Sequence, residues 1–505
     1  MNPIILDRPL RWFEVAAIAS HGTVLELSAA AKARIEAANA IVRTVVERGI
    51  RAYGVNTGVG ALADVIVPRE KHSALSRNIL MSHAVGVGTP LPVQETRAIM
   101  ASAVNNFAHG YSGLRLSVVQ QIVDLLNAGV SPEVPEQGSV GYLTHSAHIG
   151  LALIGHGTAI LLGERLSAAE ALVRLGLKPL LLEAKEGLCL VNGTPCVTGL
   201  SSLVLDRVRR LMDWADAVAA MSFETQRCQI SAIHPAAMAL RASPGLREVA
   251  AKLNLLLSES HILSSAAGRK TQDALSLRAI PQVHGAVRDV WGDVVGVVDR
   301  ELASVTDNPI VSGVPDAPEI YSQAHSVGAV IGLAMDQMGI AVAELGMISE
   351  RRLDRMVNPL VSGLPAFLAT ADGTASGFMI AQYTAVSLVG ENRRLAAPAG
   401  LDGGITSGLQ EDMLCHATPA ALKALHIVDN VQKIVAIELL AACQSYDLLG
   451  ADPSPASRTF ALYRALRGVI ARYADDRPLG LDIAAAGAFI ETHTPDDILS
   501  RSQAA

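Results

Sequence analysis

Two stretches of the chain, "LDRVRRLMDWADAVAAMSF" and "AVIGLAMDQMGIAVAELGMISERRLDRM", repeat apolar residues at helical spacing over many turns. Helices this long, and this rich in Ala, Leu and Met, need neighbours to cover their apolar faces, so a bundle follows. Half of the 505 residues are hydrophobic and only 18% are charged, enough to bury a large core in two domains or one big helical one. Strand-like runs are short and sit early, around "RAYGVNTGVG" and "LLLEAKEGLCLVNGTP", where Gly and Asn interrupt them and place them in loops between helices. The expected fold is mostly α: a loop-rich mixed region over residues 1–200 and a long-helix bundle over 201–505.

Several function classes drop out on composition. The apolar run "IGLALIGHGTAILLG" is broken by Gly and His and falls short of the roughly 20 residues of a spanning helix, which points to buried core helices and no membrane. Charged residues inside the N-terminal apolar pattern (Asp7, Arg8, Arg11, Glu14) leave no uninterrupted secretory segment, so a cytoplasmic protein is expected. Five scattered cysteines form no CxxC pair and read as free thiols. A net charge of -7 without a basic cluster gives no footprint for nucleic acid, and a small-molecule partner is expected instead. His145, His148 and His156 lack a companion carboxylate at ligand spacing, so no metal is expected.

Nine motifs follow one another in order: "YGVNTGVG", "SHAVGVG", "NNFAHGYSGLR", "VPEQGSVG", "EGLCLVNGT", "QDALSLRAIPQVHG", "SVTDNP", "SGFMIAQ" and "QED". Together they resemble the aromatic amino-acid ammonia-lyases, the group of histidine, phenylalanine and tyrosine ammonia-lyases and related aminomutases. The resemblance implies the long-helix bundle of that family and a homotetramer whose active sites combine loops from several subunits. It also implies a built-in electrophile, the methylideneimidazolone that family members make by cyclising an Ala-Ser-Gly triad after "GSVG".

Here the chain departs from the pattern. Gly141 is followed by Tyr142 and Leu143, as if four residues had been replaced by one, and no cofactor is expected. An Ala375-Ser376-Gly377 triad occurs elsewhere, where the family has an unmodified loop, and reads as a decoy because cyclisation needs a strained, preorganised turn. Leu275 stands where many family members carry a tyrosine that removes the β-proton, and Ala324 stands where a Phe commonly packs near the electrophile.

The remaining residues carry roles by resemblance. Arg278 matches the arginine that pairs with the substrate carboxylate, a task suited to a planar fork of donors. Tyr53 matches the loop tyrosine that acts as acid or base, and Glu411 is the second candidate for catalysis. Asn192 and Gln272 match residues that position the carboxylate and amine, although loop hydrogen bonding would account for them as well. His83 and Glu411 match ring-contacting positions and together favour a polar ring such as imidazole; both could equally be satisfied structural groups. Tyr142 either holds a cationic group on its aromatic face or fills the space of the missing triad.

A quaternary ammonium leaves without an electrophile, so the missing triad reads as a substrate clue. The expected activity is that of a cofactor-free carbon–nitrogen lyase similar to ergothionase, expelling trimethylamine from an imidazole- or thioimidazole-type betaine such as ergothioneine. Two alternatives stand beside it: isomerisation, ring closure or ring opening of another aromatic or cyclic substrate, and a catalytically dead binding or assembly homologue.

Overall fold

The computed structural model describes residues 2–369, 373–401, 403–449 and 454–504. The chain is mostly helical and forms two units that are not consecutive stretches. Unit 1 comprises Met1–Asp206, Val294–Asp336 and Pro398–Leu422; unit 2 comprises Arg207–Asp293, Gln337–Ala397 and Lys423–Ala505. Four of the five boundaries fall inside the long helices Pro195–Thr225, Ile280–Leu302, Ala329–Val357 and Ala417–Leu449, and the fifth, between Ala397 and Pro398, follows the helix Met379–Leu395.

In unit 1, helices frame several small sheets. Strands Ile4–Leu6 and Leu25–Leu27 pair in parallel across the helix Trp12–His21, and Ile310–Val314 pairs with Ala317–Tyr321 as a hairpin. Arg97 ties two helix ends together, donating to the carbonyls of Ile18 (2.8 Å), Ala19 (3.2 Å) and Leu126 (2.8 Å), where a cation also meets the negative end of a helix dipole. Gly199 marks a tight crossing of helices. A Cβ there would lie 2.5 Å from the Ala98 carbonyl oxygen, so the close approach requires glycine. Ser201 and Ser202 are fully buried beside it, and each hydroxyl bonds back to a carbonyl four residues earlier, at 2.7 and 2.9 Å.

Two segments differ from the sequence expectation. "IGLALIGHGTAILLG" is not helical throughout: the helix Thr144–Leu153 stops, Gly155 and Gly157 turn the chain with φ of 79° and 80°, and Thr158–Leu161 continues as a strand. Part of "LLLEAKEGLCLVNGTP" is a short helix, Glu186–Val191, that starts after Lys185 at φ 67°. Two stretches, Glu186–Thr225 and Ala329–Val357, are long and apolar enough to cross a membrane by length and composition; the most apolar part of the first is buried throughout and that of the second is two-thirds buried.

Unit 2 is held by a buried charge network. Glu438 accepts from both Arg352 Nε (2.6 Å) and Nη2 (2.8 Å) and from the hydroxyls of Ser222 (2.6 Å) and Ser349 (2.5 Å). Arg352 Nη1 donates to His284 Nε2 at 3.2 Å, and His284 Nδ1 donates to Asp216 at 2.8 Å. Burial favours the neutral imidazole of His284, which can then accept from one side and donate to the other. With every lone pair of Glu438 engaged, the pair survives desolvation; without the carboxylate, Arg352 would be an uncompensated buried cation. Glu438→Ala is therefore expected to destabilise unit 2 by about 3–5 kcal/mol, read as a large fall in thermal midpoint, whereas Arg300→Ala at the end of Ile280–Leu302 should leave the midpoint nearly unchanged.

Candidate functional site

The loop carrying Tyr53 is wound tightly by its own polar side chains. Asn56 accepts from the Ala52 amide (2.9 Å) and donates to the Ile50 carbonyl (2.9 Å), while Thr57 accepts from the Gly54 amide (3.0 Å) and donates to the Gly58 carbonyl (3.0 Å). Gly54, at φ 62°, allows this turn; a Cβ there would sit 2.1 Å from Leu188 Cδ2. The half-buried Tyr53 ring is thereby turned so that its hydroxyl accepts from the Gly60 amide at 3.3 Å.

Tyr53, Tyr142, Ala324 and Glu411 line one cavity of about 460 Å³ within unit 1. Four further lining residues, Asn308, Gln323, Ser326 and Cys415, were not singled out from the sequence. Ser326 lies two residues after Ala324, but a serine in a loop carries no signal of its own. Asn308 and Gln323 stiffen the wall: Asn308 Oδ1 accepts from the Gln323 amide (2.8 Å), and Gln323 Nε2 donates to the Asp307 carbonyl (2.8 Å).

Glu411 is the charge that joins the set. Its strand-like bridge to Thr406 holds it in place, with the Thr406 amide donating to the Glu411 carbonyl at 2.8 Å and the Thr406 hydroxyl to its carboxylate at 3.2 Å. Burial pushes the Tyr53 phenol up, the Gly60 amide pulls it partly back, and Glu411 pushes it up again. Tyr142 is raised first by burial; a hydrogen bond from Ser326 opposes this, while Glu411, Tyr53 and Cys415 add to it. His83 closes the helix His72–His83 and bonds Ser82 Oγ at 3.0 Å. Its imidazole is pushed down by burial, against the opposing pull of the Ile79 carbonyl and Glu411. The cavity wall thus combines two neutral phenols with the acidic side chains of Glu411 and Asp412, and the neutral imidazole of His83 lies outside the lining but within reach of the Glu411 charge. That set suits a cationic amine beside a ring that accepts and donates hydrogen bonds.

Asn192, at the end of the helix Glu186–Val191, is buried with both ends of its amide engaged: Nδ2 donates to Asp307 (3.3 Å) and to the Asn308 carbonyl, and Oδ1 accepts from the Gly193 amide (2.9 Å). It holds the Asn308 wall. Gln272 and Arg278 belong to unit 2, and Leu275 there is 63% exposed. With its amide oxygen turned toward the arginine, Gln272 accepts from Arg278 Nη2 (2.7 Å) and Nε (3.1 Å). That contact uses one edge of the guanidinium and leaves the Nη1/Nη2 edge as the fork a carboxylate takes.

The residues after "GSVG" do not fit the methylideneimidazolone. Gly141-Tyr142-Leu143 contains no Ala-Ser-Gly, the Gly141 carbonyl accepts from Thr418 Oγ1 at 2.9 Å, and the Leu143 amide donates to the Val191 carbonyl at 3.1 Å. At Ala375-Ser376-Gly377 in unit 2, the Ser376 and Gly377 amides both donate to the Asp476 carboxylate, at 2.7 and 3.0 Å, so the nitrogen that would close a ring is committed to an anion. His145 bonds Ser139 Oγ (2.6 Å) and the Glu136 carbonyl (2.9 Å), burial lowering it to about 4, and His148 Nε2 accepts from the Gly86 amide (3.1 Å). Among the described residues no three His, Cys, Asp or Glu side chains group as metal ligands.

Comparison with known proteins agrees with this geometry. Residues 10–468 match the model of the family described as aromatic amino acid lyase. Histidine ammonia-lyase of Symbiobacterium thermophilum is 43% identical over 489 residues, covering 96% of each chain. The crystal structure of histidine ammonia-lyase from Trypanosoma cruzi superposes with a TM-score of 0.91 at 36% identity, covering 99% of this chain and 96% of that one. The structure of ergothionase from Treponema denticola shares the fold with a TM-score of 0.90 over 99% of this chain and 100% of its own, but at 26% identity. These similarities overturn the betaine assignment. Near-full-length relatives at 40–43% identity are named histidine ammonia-lyase, whereas ergothionase stands at 26%.

The charge pattern yields a test. Because Glu411 disfavours the Tyr53 phenolate, Glu411→Gln should lower the Tyr53 pKa, so that its phenolate absorbance, isolated by subtracting a Tyr53→Phe control, appears at lower pH than in the parent. An unmoved titration would remove Glu411 from the neighbourhood of the ring.

Proposed function

Because the chain belongs to the aromatic amino acid lyase family, we propose that it is a carbon–nitrogen lyase whose substrate is histidine, which it converts to the imidazolyl acrylate and ammonia. The observation that carries this reading is that Tyr53 and Glu411 line one cavity, with His83 near enough for the charge of Glu411 to act on its imidazole ring. A substrate imidazole can exchange hydrogen bonds with His83 and Glu411, which a phenyl ring cannot. Arg278, steadied by Gln272, takes the substrate carboxylate on its open Nη1/Nη2 edge. Tyr53 removes the β-proton in its ionised form; since burial and Glu411 raise its pKa, activity is expected to climb with pH on the alkaline side.

We read the working protein as a cytoplasmic homotetramer, in which Arg278 and Gln272 are brought to the cavity by assembly. Residues 139–143 stay as encoded. The intact mass should therefore equal the sequence mass, and a deficit of two waters would show that a triad has cyclised.

Incubation with histidine should raise the ultraviolet band of the conjugated acrylate together with free ammonia, and phenylalanine and tyrosine should give far less. Absence of product from histidine, or preference for phenylalanine, would overturn the assignment. Arg278→Lys is expected to raise KM for histidine by about 10-fold or more with a smaller effect on kcat, since Lys keeps the charge and loses the fork.

A further inference from the structure

We propose that Tyr142 is the proton donor to the departing amine, with Ser326 as its positioning residue. The inference rests on the histidine-lyase reading above and assigns the one step that reading leaves open: how the nitrogen leaves.

Tyr142 shares the cavity with Tyr53, Ser326 and Glu411. Ser326 is 3% exposed and lines the same wall, and its hydroxyl works against burial in favour of the ionised Tyr142. Once Tyr53 acts as base, Tyr142 is the other phenol in the lining, and a phenol gives up its proton far more readily than a serine hydroxyl. The backbone on both sides of the ring is anchored, by Thr418 on the Gly141 carbonyl and by the Val191 carbonyl on the Leu143 amide. Leu143 takes φ 83°, a region leucine enters only where its surroundings compel it, immediately before the helix Thr144–Leu153. A side chain that merely filled space would not need its backbone forced; a proton donor needs a fixed place.

The proton balance closes within the pair of tyrosines. At the pH where Tyr53 is ionised, an α-amine of ordinary pKa roughly 8 is in its free-base form and cannot leave as an amide anion. Tyr53 phenolate takes the β-proton, and the electron pair of that C–H bond becomes the Cα–Cβ double bond. The Cα–N bond breaks with its pair on nitrogen, and nitrogen takes the Tyr142 proton to depart as neutral ammonia. Tyr53 is then the phenol and Tyr142 the phenolate. Return of one proton from the first to the second restores the site, and no other reactant is consumed. Glu411 raises both phenols, so ionising either one costs more than it would in water.

The test compares leaving groups. The parent, Tyr142→Phe and Ser326→Ala proteins are assayed with histidine and with 2-chloro-3-(imidazol-4-yl)propanoate, from which chloride departs without a proton. General-acid catalysis contributes typically 10²–10⁴-fold. Tyr142→Phe should therefore lose about 10²-fold or more with histidine but only a few-fold with the chloro analogue, and Ser326→Ala should show the same asymmetry to a lesser degree. Equal losses on both substrates, retention of histidine activity by Tyr142→Phe, or a parent that handles histidine but not the analogue would overturn the proposal and leave the histidine reading intact. A parent that releases nothing from histidine would overturn both.

Discussion

The architecture around the cavity hangs on one buried ion pair. Lys185 and Asp307 are both fully removed from water and lie 3.3 Å apart. Stripping two ions of solvent costs several kcal/mol each, so such a pair holds only if every remaining donor and lone pair is used. Lys185 Nζ also donates to the Ser112 carbonyl at 2.7 Å and to Cys189 Sγ at 3.1 Å, and Asp307 Oδ1 accepts from the Asn308 amide at 2.8 Å and from Asn192 at 3.3 Å. Burial is the largest single effect and acts against the charged lysine, and Asp307 and Cys189 together outweigh it. Through Asn308 and Gln323 this network becomes the cavity wall, so the positive φ of Lys185 and the short helix behind it serve a structure that ends at the site.

The cavity itself works by an opposite logic, leaving acidic side chains without a basic partner in the wall. Glu411 presses on two phenols, Asp412 stands beside it, and the lining holds no arginine or lysine. Such a wall attracts an ammonium group and penalises a further anion, which adds to burial in favouring the neutral form of each phenol. The same lining offers no basic partner to a carboxylate, and Arg278 belongs to the other unit.

How much of this was legible depends on what kind of signal each residue sends. Tyr53 and Glu411 stand in motifs with glycine and acidic residues at fixed spacing, and both line the cavity. The bundle was legible because long helices leave a period over many turns. The helix Glu186–Val191 was not, since six residues are too short for a period and its start is imposed by the buried Lys185. Ser326 was invisible for another reason: only the three-dimensional fold brings it to Tyr142, and a serine in a loop is ordinary. The substrate was misread by carrying one sound premise too far. A missing electrophile does imply that the leaving group must be helped, but a quaternary amine is only one form of help.

The shortened loop shows where the other form comes from. Deleting residues between "GSVG" and the following helix draws the chain taut, and the strain collects at Leu143, whose φ of 83° is the non-glycine backbone outlier nearest the cavity opening of the helix Thr144–Leu153. A taut loop has few conformations to lose on binding, so the residue before the strain is held in place at little further entropic cost. That residue is a tyrosine in the cavity wall that also holds Tyr53, Glu411 and the buried Ser326. The loop thus presents, where the sequence resemblance implies Ala-Ser-Gly, the phenol that we propose as the proton donor to the amine.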